Sequence, residues 1–267
     1  MNRALLLCSN WKDYIWEPQT LRLAMCLQPQ DGTTIVAGGH IGYDALHLAQ
    51  GMRQGREIAF EPVARQYERL LQNQKLSMVE NLTAEHLTLS DRSEPEIILY
   101  VAGPRSSIDV SNGGSEGEVE KVRAVSLDDY VAESGLGQIA MLFLDVEGSE
   151  LRVLSGAKQL LSSSPNLILE VNRPNIRDMG LTPDDLYQFL FDRGYSLFYI
   201  DDDHFFTLRE FMKAEVVLYP VVSDNPAFQE RLTIFNIIAT CRPEILDQPG
   251  IRIMANAPIG GRGNQER

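Results

Sequence analysis

Ile35-Val36-Ala37-Gly38-Gly39-His40-Ile41-Gly42, with Arg56-Glu57-Ile58-Ala59-Phe60-Glu61-Pro62 one helical segment further on, decides the fold of this chain. A β-branched run meets a glycine turn. Tyr43 to Met52 then places Ala45, Leu46, Leu48 and Ala49 at helical spacing, and a second apolar run ends on a carboxylate. This is half of a βαβ nucleoside-binding unit. Gly38, Gly39 and Gly42 let the backbone turn tightly and bring N–H groups close to a ligand, where a side chain would block approach. Glu61, at the end of the second strand, can accept hydrogen bonds from both hydroxyls of an unphosphorylated ribose.

Outward from this unit the pattern repeats. Leu21 to Leu27 reads as a short helix, and Gln28-Pro29-Gln30-Asp31-Gly32 as the turn that feeds the first strand. Val63 to Leu76 is a second amphipathic helix. Strand-like runs follow near Leu82–Leu89 and Glu96–Val101, and Gly103 to Glu118 is a Gly-, Ser- and Asn-rich loop. Ser126-Leu127-Asp128-Asp129 reads as a capping box opening a helix. Ile139 to Leu144 is an apolar run of the kind buried on both faces of a sheet. An amphipathic helix over Ser149–Leu161 and a strand over Asn166–Val171 come next. Thr182-Pro183 opens another helix, and strands are expected at Tyr195–Ile200 and Leu232–Ala239. Alternating strands and helices imply a doubly wound α/β fold with a mostly parallel sheet. The expected organisation is an N-terminal helical extension (1–30), a nucleoside-binding domain (31–245) and a flexible C-terminal tail (246–267).

Composition narrows the function. A net charge of −13 argues against a nucleic-acid partner, since phosphates need a basic surface. No run reaches the roughly 18 apolar residues of a membrane span. Cys8, Cys26 and Cys241 form no close pair, so a reduced, cytoplasmic protein with core cysteines is expected.

In open α/β sheets ligands bind beyond the C-terminal strand ends. Those positions hold Gly38 to Gly42, Glu61-Pro62, Ser90-Asp91, Asp145-Val146-Glu147-Gly148 and Glu170-Val171-Asn172. Carboxylates at four of five strand ends mark a site, because a strand end needs no charge. Asp145, Glu147, Glu170 and Asn172 are an oxygen-rich set compatible with Mg²⁺, although no metal is expected. Asp201-Asp202-Asp203-His204 reads as a solvated turn.

Ile35 to Gly42, Phe60-Glu61-Pro62, Leu89-Ser90-Asp91-Arg92, Val125 to Asp129, Leu144-Asp145-Val146-Glu147-Gly148-Ser149-Glu150, Gly156-Ala157 and Leu167 to Val171 fall in the order found in FkbM-family methyltransferases. The chain resembles that family from about Pro18 to Ile200. The resemblance implies a Rossmann-like class I methyltransferase fold, seven-stranded with an antiparallel last strand. It also implies S-adenosylmethionine as cofactor and O-methylation of a small molecule, sugar or natural product. Cofactor binding would then fall to Gly38, Gly39, His40, Gly42, Glu61, Pro62, Ser90, Asp91 and Asp145, with Ser90-Asp91 beside the adenine. Asp145 and Glu170 would be the catalytic carboxylates. Two positions depart from the family pattern: Val36 where Asp is usual, and Phe143 where Lys is often found. An Asp restored at position 36 is expected to tighten cofactor binding.

Two other classes share some features. Ala37-x-Gly39-x-x-Gly42 is one residue short of a dinucleotide fingerprint, which admits a nicotinamide-dependent oxidoreductase; no Tyr-x-x-x-Lys hydride-transfer pair accompanies it. A non-catalytic cofactor-binding relative is the third reading. The acceptor should be a small hydroxylated molecule contacting the 103–118 loop and the 204–228 segment. There Phe205, Phe206, Phe211 and Tyr219 are either ligand-facing surface or core. A homo-oligomer is compatible with all of this.

Overall fold

The computed structural model describes residues 14–102, 105–107, 118–202, 205–221 and 233–255. Most of the 103–118 loop, and Asp203-His204, lie outside them. The first half contains β1 (Tyr14–Trp16), α1 (Pro18–Leu27), β2 (Thr33–Ala37), α2 (Tyr43–Gly51), β3 (Arg56–Phe60), α3 (Ala64–Ser77) and β4 (Leu82–Glu85). Four strands, β5 (Thr88–Leu89), β6 (Glu94–Ala102), β7 (Arg105–Ser107) and β8 (Glu118–Val125), lead to α4 (Leu127–Ser134) and β9 (Ile139–Leu144). Next are α5 (Glu150–Ser155), α6 (Lys158–Leu161), β10 (Asn166–Asn172), α7 (Arg173–Asp178), α8 (Pro183–Phe191) and β11 (Ser196–Ile200). The chain closes with β12 (Phe205–Thr207), α9 (Leu208–Phe211), β13 (Val216–Pro220), β14 (Ile234–Thr240) and β15 (Ile251–Ile253).

The main sheet has nine strands in the order β15-β13-β11-β14-β10-β9-β2-β3-β4, two more than the seven expected. The seven from β4 to β11 are parallel apart from β14, the last of them in sequence, which runs antiparallel between β10 and β11. β13 and β15 extend the β11 edge. The short Ile251–Ile253 segment, inside the span expected to be a flexible tail, pairs there with β13. A second sheet, β5-β8-β6-β7, is inserted between β4 and β9, and β1 pairs with β12.

Strand alternation sorts the apolar residues onto two faces. Ile35, Ile58, Leu142, Leu167 and Ile237 meet Leu127, Val153, Leu154, Leu186 and Leu190 from α4, α5 and α8. On the other face Val36, Ala59, Phe143, Ile168 and Ile238 meet Leu21, Leu23, Ala45, Leu46 and Leu70 from α1 to α3. Both faces are covered, which is why these strands read as continuous apolar runs. Phe211 and Tyr219 belong to these two layers and are core residues. Cys26 is exposed, against the expectation of a core cysteine.

Two local expectations change. The helix anticipated over Ser149–Leu161 is broken into α5 and α6 at Gly156-Ala157, because Gly156 abuts the backbone of Ser90 and Asp91. A Cβ there would lie 2.3 Å from the Ser90 carbonyl oxygen. The capping box before α4 is only half formed. Ser126 Oγ accepts from the Asp129 N–H, but the Asp129 carboxylate takes the hydroxyl of Ser93 instead of reaching the Ser126 N–H. Ser93 Oγ accepts that Ser126 N–H (3.1 Å) and so closes the box from outside the helix. The box at Thr182 and Asp185 is complete.

Candidate active site

The order of the strands reverses between β2 and β9, and a cavity of about 470 Å³ opens beyond their C-terminal ends. Gly38 and Gly39 both donate N–H bonds to the Phe60 carbonyl (3.0 and 2.8 Å), so the turn is sewn to the end of β3. Gly38 has φ +84°, and a Cβ on it would lie 1.7 Å from the Asp145 carbonyl oxygen. Only glycine fits where these two loops touch. Gly42 also has a left-handed φ; it caps α2 against Leu46 and Leu70 and does not line the cavity.

Both Glu61 oxygens are oriented by backbone: Oε2 accepts from the His40 N–H (2.6 Å) and Oε1 from the Val63 N–H (2.8 Å). Each oxygen keeps a further lone pair for a ligand hydroxyl. Burial pushes the Glu61 carboxyl up to about 7, the two amides opposing it. His40 sits at φ +45°, and burial lowers its pKa, so it lines the cavity as a neutral ring.

Asp145 and Glu170 lie together. The Asp145 N–H donates to Ala37 (3.0 Å), which fixes the start of the Asp145–Gly148 turn to β2. Glu170 is held far above the usual carboxylate range, first by burial and then by the charge of the neighbouring Asp145 carboxyl. The turn itself is gripped from below. Glu150, fully buried, accepts from the Val146 and Gly148 N–H groups through Oε1. Glu147 accepts from the side-chain amides of Asn172 (3.1 Å) and Asn175 (2.6 Å).

The cavity also contains residues that strand-end reasoning missed. Glu17 caps α1 in a left-handed conformation, and its carboxylate accepts from Asn236 Nδ2 (2.8 Å), the register partner of Glu170. Trp16, Tyr43 and Asp44 line the same end. The Tyr43 hydroxyl donates to the Trp16 carbonyl and accepts from its N–H, joining α2 to β1. Burial and neighbouring acids raise Glu17 to about 8 and Asp44 to about 7. The signal for these residues was weak because β1 is only three residues long, and Asp44 reads as an ordinary first-turn acid.

At the opposite end Pro62, Leu87, Thr88, Leu89 and Leu99 form an apolar wall, Leu99 reaching in from the inserted sheet. Ser90 and Asp91 do not line the cavity. Ser90 is buried, and Asp91 is turned outward to Arg152 (3.0 Å), which helps hold its pKa down despite partial burial. Thr88 and Leu89, just before them in the chain, line the cavity instead.

Val36 and Phe143 lie in the buried strands where the sequence put them, and neither lines the cavity. They are register partners on β2 and β9, both almost wholly buried in the α1–α3 layer beneath the cavity. Both family departures therefore fall on one cross-strand pair, an apolar contact under the acidic row. An Asp at 36 would enter this layer. Among the described residues no group of three or more His, Cys, Asp or Glu is arranged to hold a metal ion. No helix there is long and apolar enough to cross a membrane.

The sheet is doubly wound, and its acidic cavity lies at the switch point where open α/β sheets bind ligands. Residues 37–197 match the methyltransferase FkbM domain, and the chain belongs to that family. Among solved structures the fold is similar to a precorrin-6y C5,15-methyltransferase from Geobacter metallireducens (14% identity, 83% of this chain and 86% of that chain, TM-score 0.45). It is also similar to an O-methyltransferase from Bacillus cereus in complex with SAH (10%, 84% and 79%, 0.46). A third is an rRNA methylase from Streptococcus thermophilus (10%, 82% and 92%, 0.45). Comparison with curated proteins gave no match.

Proposed function

We propose that the protein is an S-adenosylmethionine-dependent methyltransferase acting on a hydroxyl of a small molecule, sugar or natural product. The charge of the cavity carries this reading within the methyltransferase family. Glu17, Asp44, Glu61, Asp145, Glu147 and Glu170 line it, and among the described residues no Lys or Arg does. A sulfonium and an ammonium suit such walls, whereas the pyrophosphate of a nicotinamide dinucleotide would be repelled by them.

Glu61, preset by two backbone amides, would take the ribose hydroxyls, and the apolar wall at Pro62, Thr88 and Leu89 the adenine. The backbone at Gly38 and Gly39 allows close approach beside His40, and Asp145 would face the ammonium. When bound, S-adenosylmethionine supplies a methyl group activated by its positive sulfur. The Asp145–Glu170 pair would position the acceptor hydroxyl, with the protonated Glu170 as hydrogen-bond donor. The unprotonated carboxylate of the pair would take the hydroxyl proton as the new oxygen–carbon bond forms and the carbon–sulfur electrons return to sulfur.

Titration calorimetry with S-adenosylmethionine, S-adenosylhomocysteine and NAD tests the cofactor, and release of S-adenosylhomocysteine over a panel of hydroxylated acceptors tests the reaction. Both adenosyl compounds should bind and NAD should not. NAD binding with no response to either adenosyl compound overturns the reading; binding without turnover on any acceptor identifies a non-catalytic relative.

A further inference from the structure

We propose that the methyl acceptor carries a protonated amine near its reacting hydroxyl, in the manner of an amino sugar, and that Trp16, Glu17 and Asp44 recognise it. The inference rests on the methyltransferase reading and extends it to the acceptor end of the same cavity.

Cofactor binding accounts for only part of the charge. With Glu61 assigned to the ribose and Asp145 to the cofactor ammonium, Glu17 and Asp44 remain in the lining, Glu17 accepting from Asn236, the register partner of Glu170. Among the described residues the Glu17 carboxylate has one hydrogen-bond partner, Asn236. The Asp44 carboxylate accepts only from its own backbone N–H among the described residues, and burial with the nearby Asp145 raises its pKa. A desolvated carboxylate without a partner is costly unless a cation or donor completes it. Among the described residues no Lys or Arg lines the cavity, and the floor beneath is the apolar row Val36, Phe143, Ile168 and Ile238. Trp16 is half exposed at this end of the cavity. An aromatic face beside carboxylates is the usual chemistry of ammonium recognition, and the same face stacks on a sugar ring.

The amine takes no part in bond making. It anchors the acceptor so that a neighbouring hydroxyl meets the Asp145–Glu170 pair. A neutral polyol would supply no counter-charge to Asp44 and leave Glu17 with Asn236 alone, and so should bind more weakly.

The test uses the full-length protein saturated with S-adenosylhomocysteine, titrated with methyl glucosaminide, its N-acetyl derivative and methyl glucoside. The amine should bind at least about tenfold more tightly than either neutral glycoside. Asp44→Asn and Glu17→Gln should each remove most of that preference, with folding checked by unfolding temperature. Trp16→Leu, at an exposed position, should weaken the amine with no change in folding. Equal binding of the three glycosides, or binding of none, overturns the proposal. Failure of the unaltered protein to bind S-adenosylhomocysteine counts instead against the methyltransferase reading.

Discussion

A single methyl group at Gly38 would collide with the Asp145 backbone, in a conformation that L-residues avoid. Gly38→Ala should therefore destabilise the fold by about 3 kcal/mol and abolish cofactor binding, as read by urea unfolding and calorimetry. Glu61 is a different kind of residue, because its position is already held by backbone amides. Glu61→Gln should weaken S-adenosylhomocysteine about 10- to 100-fold, the range of one or two charge-assisted bonds. Of the residues singled out from sequence, Gly38, Gly39, His40, Glu61, Pro62, Asp145 and Glu170 converge on one cavity. These were legible because each follows an apolar strand, and a strand end in a parallel sheet has a known place. Trp16 and Glu17 were not, since their position depends on a β1–β12 pairing nearly two hundred residues apart in sequence, and Asp44 reads as an ordinary first-turn acid of α2. Ser90-Asp91 was displaced by a two-residue strand, β5, whose end the apolar pattern is too short to fix.

At the scale of elements, β2 and β9 share a buried cross-strand pair. Val36 and Phe143, the two positions read from the sequence as departures from the family pattern, stand opposite one another in that layer. An apolar pair can replace a buried ion pair at little loss, whereas half of an ion pair is destabilising. Val36→Asp alone is expected to cost about 3 kcal/mol and leave cofactor affinity no better, contrary to the sequence expectation. Adding Phe143→Lys should recover part of the loss, with a coupling of at least about 1 kcal/mol in a double-mutant cycle. Ser93 makes a smaller case of the same interdependence, since its hydroxyl completes the cap of α4 from another segment. Ser93→Ala should lower stability by about 1 kcal/mol without changing catalysis. Helix and strand order was readable throughout, but such partnerships between elements were not, because periodicity reports a face and not the residue that meets it.

The whole molecule carries its acids in an unusual state. Asp44 and Glu61 are raised to about 7, and Glu17 and Glu150 to about 8, in each case chiefly by burial. Between an ordinary carboxylate value near 4.5 and these values, the folded chain holds protons that the unfolded chain has lost. The ligand-free protein should therefore lose stability as pH rises from about 5 to about 8, with the unfolding temperature falling over that window. A cationic ligand favours the ionised forms, so its binding should release protons and strengthen with pH. Calorimetry in two buffers of different ionisation heat would detect that release, and its absence would mean these groups lie outside the bound region.

The pairing of β1 with β12 has one more consequence, for the order in which the protein becomes competent during synthesis. The strands that bear Gly38, Glu61, Asp145 and Glu170 have all been synthesised by Asn172, so this part of the cavity can assemble before the rest of the chain is made. The wall bearing Trp16 and Glu17 is made first but waits for β12 and Asn236, which emerge much later. A nascent chain paused between those points should hold a nucleoside while still unable to select an acceptor.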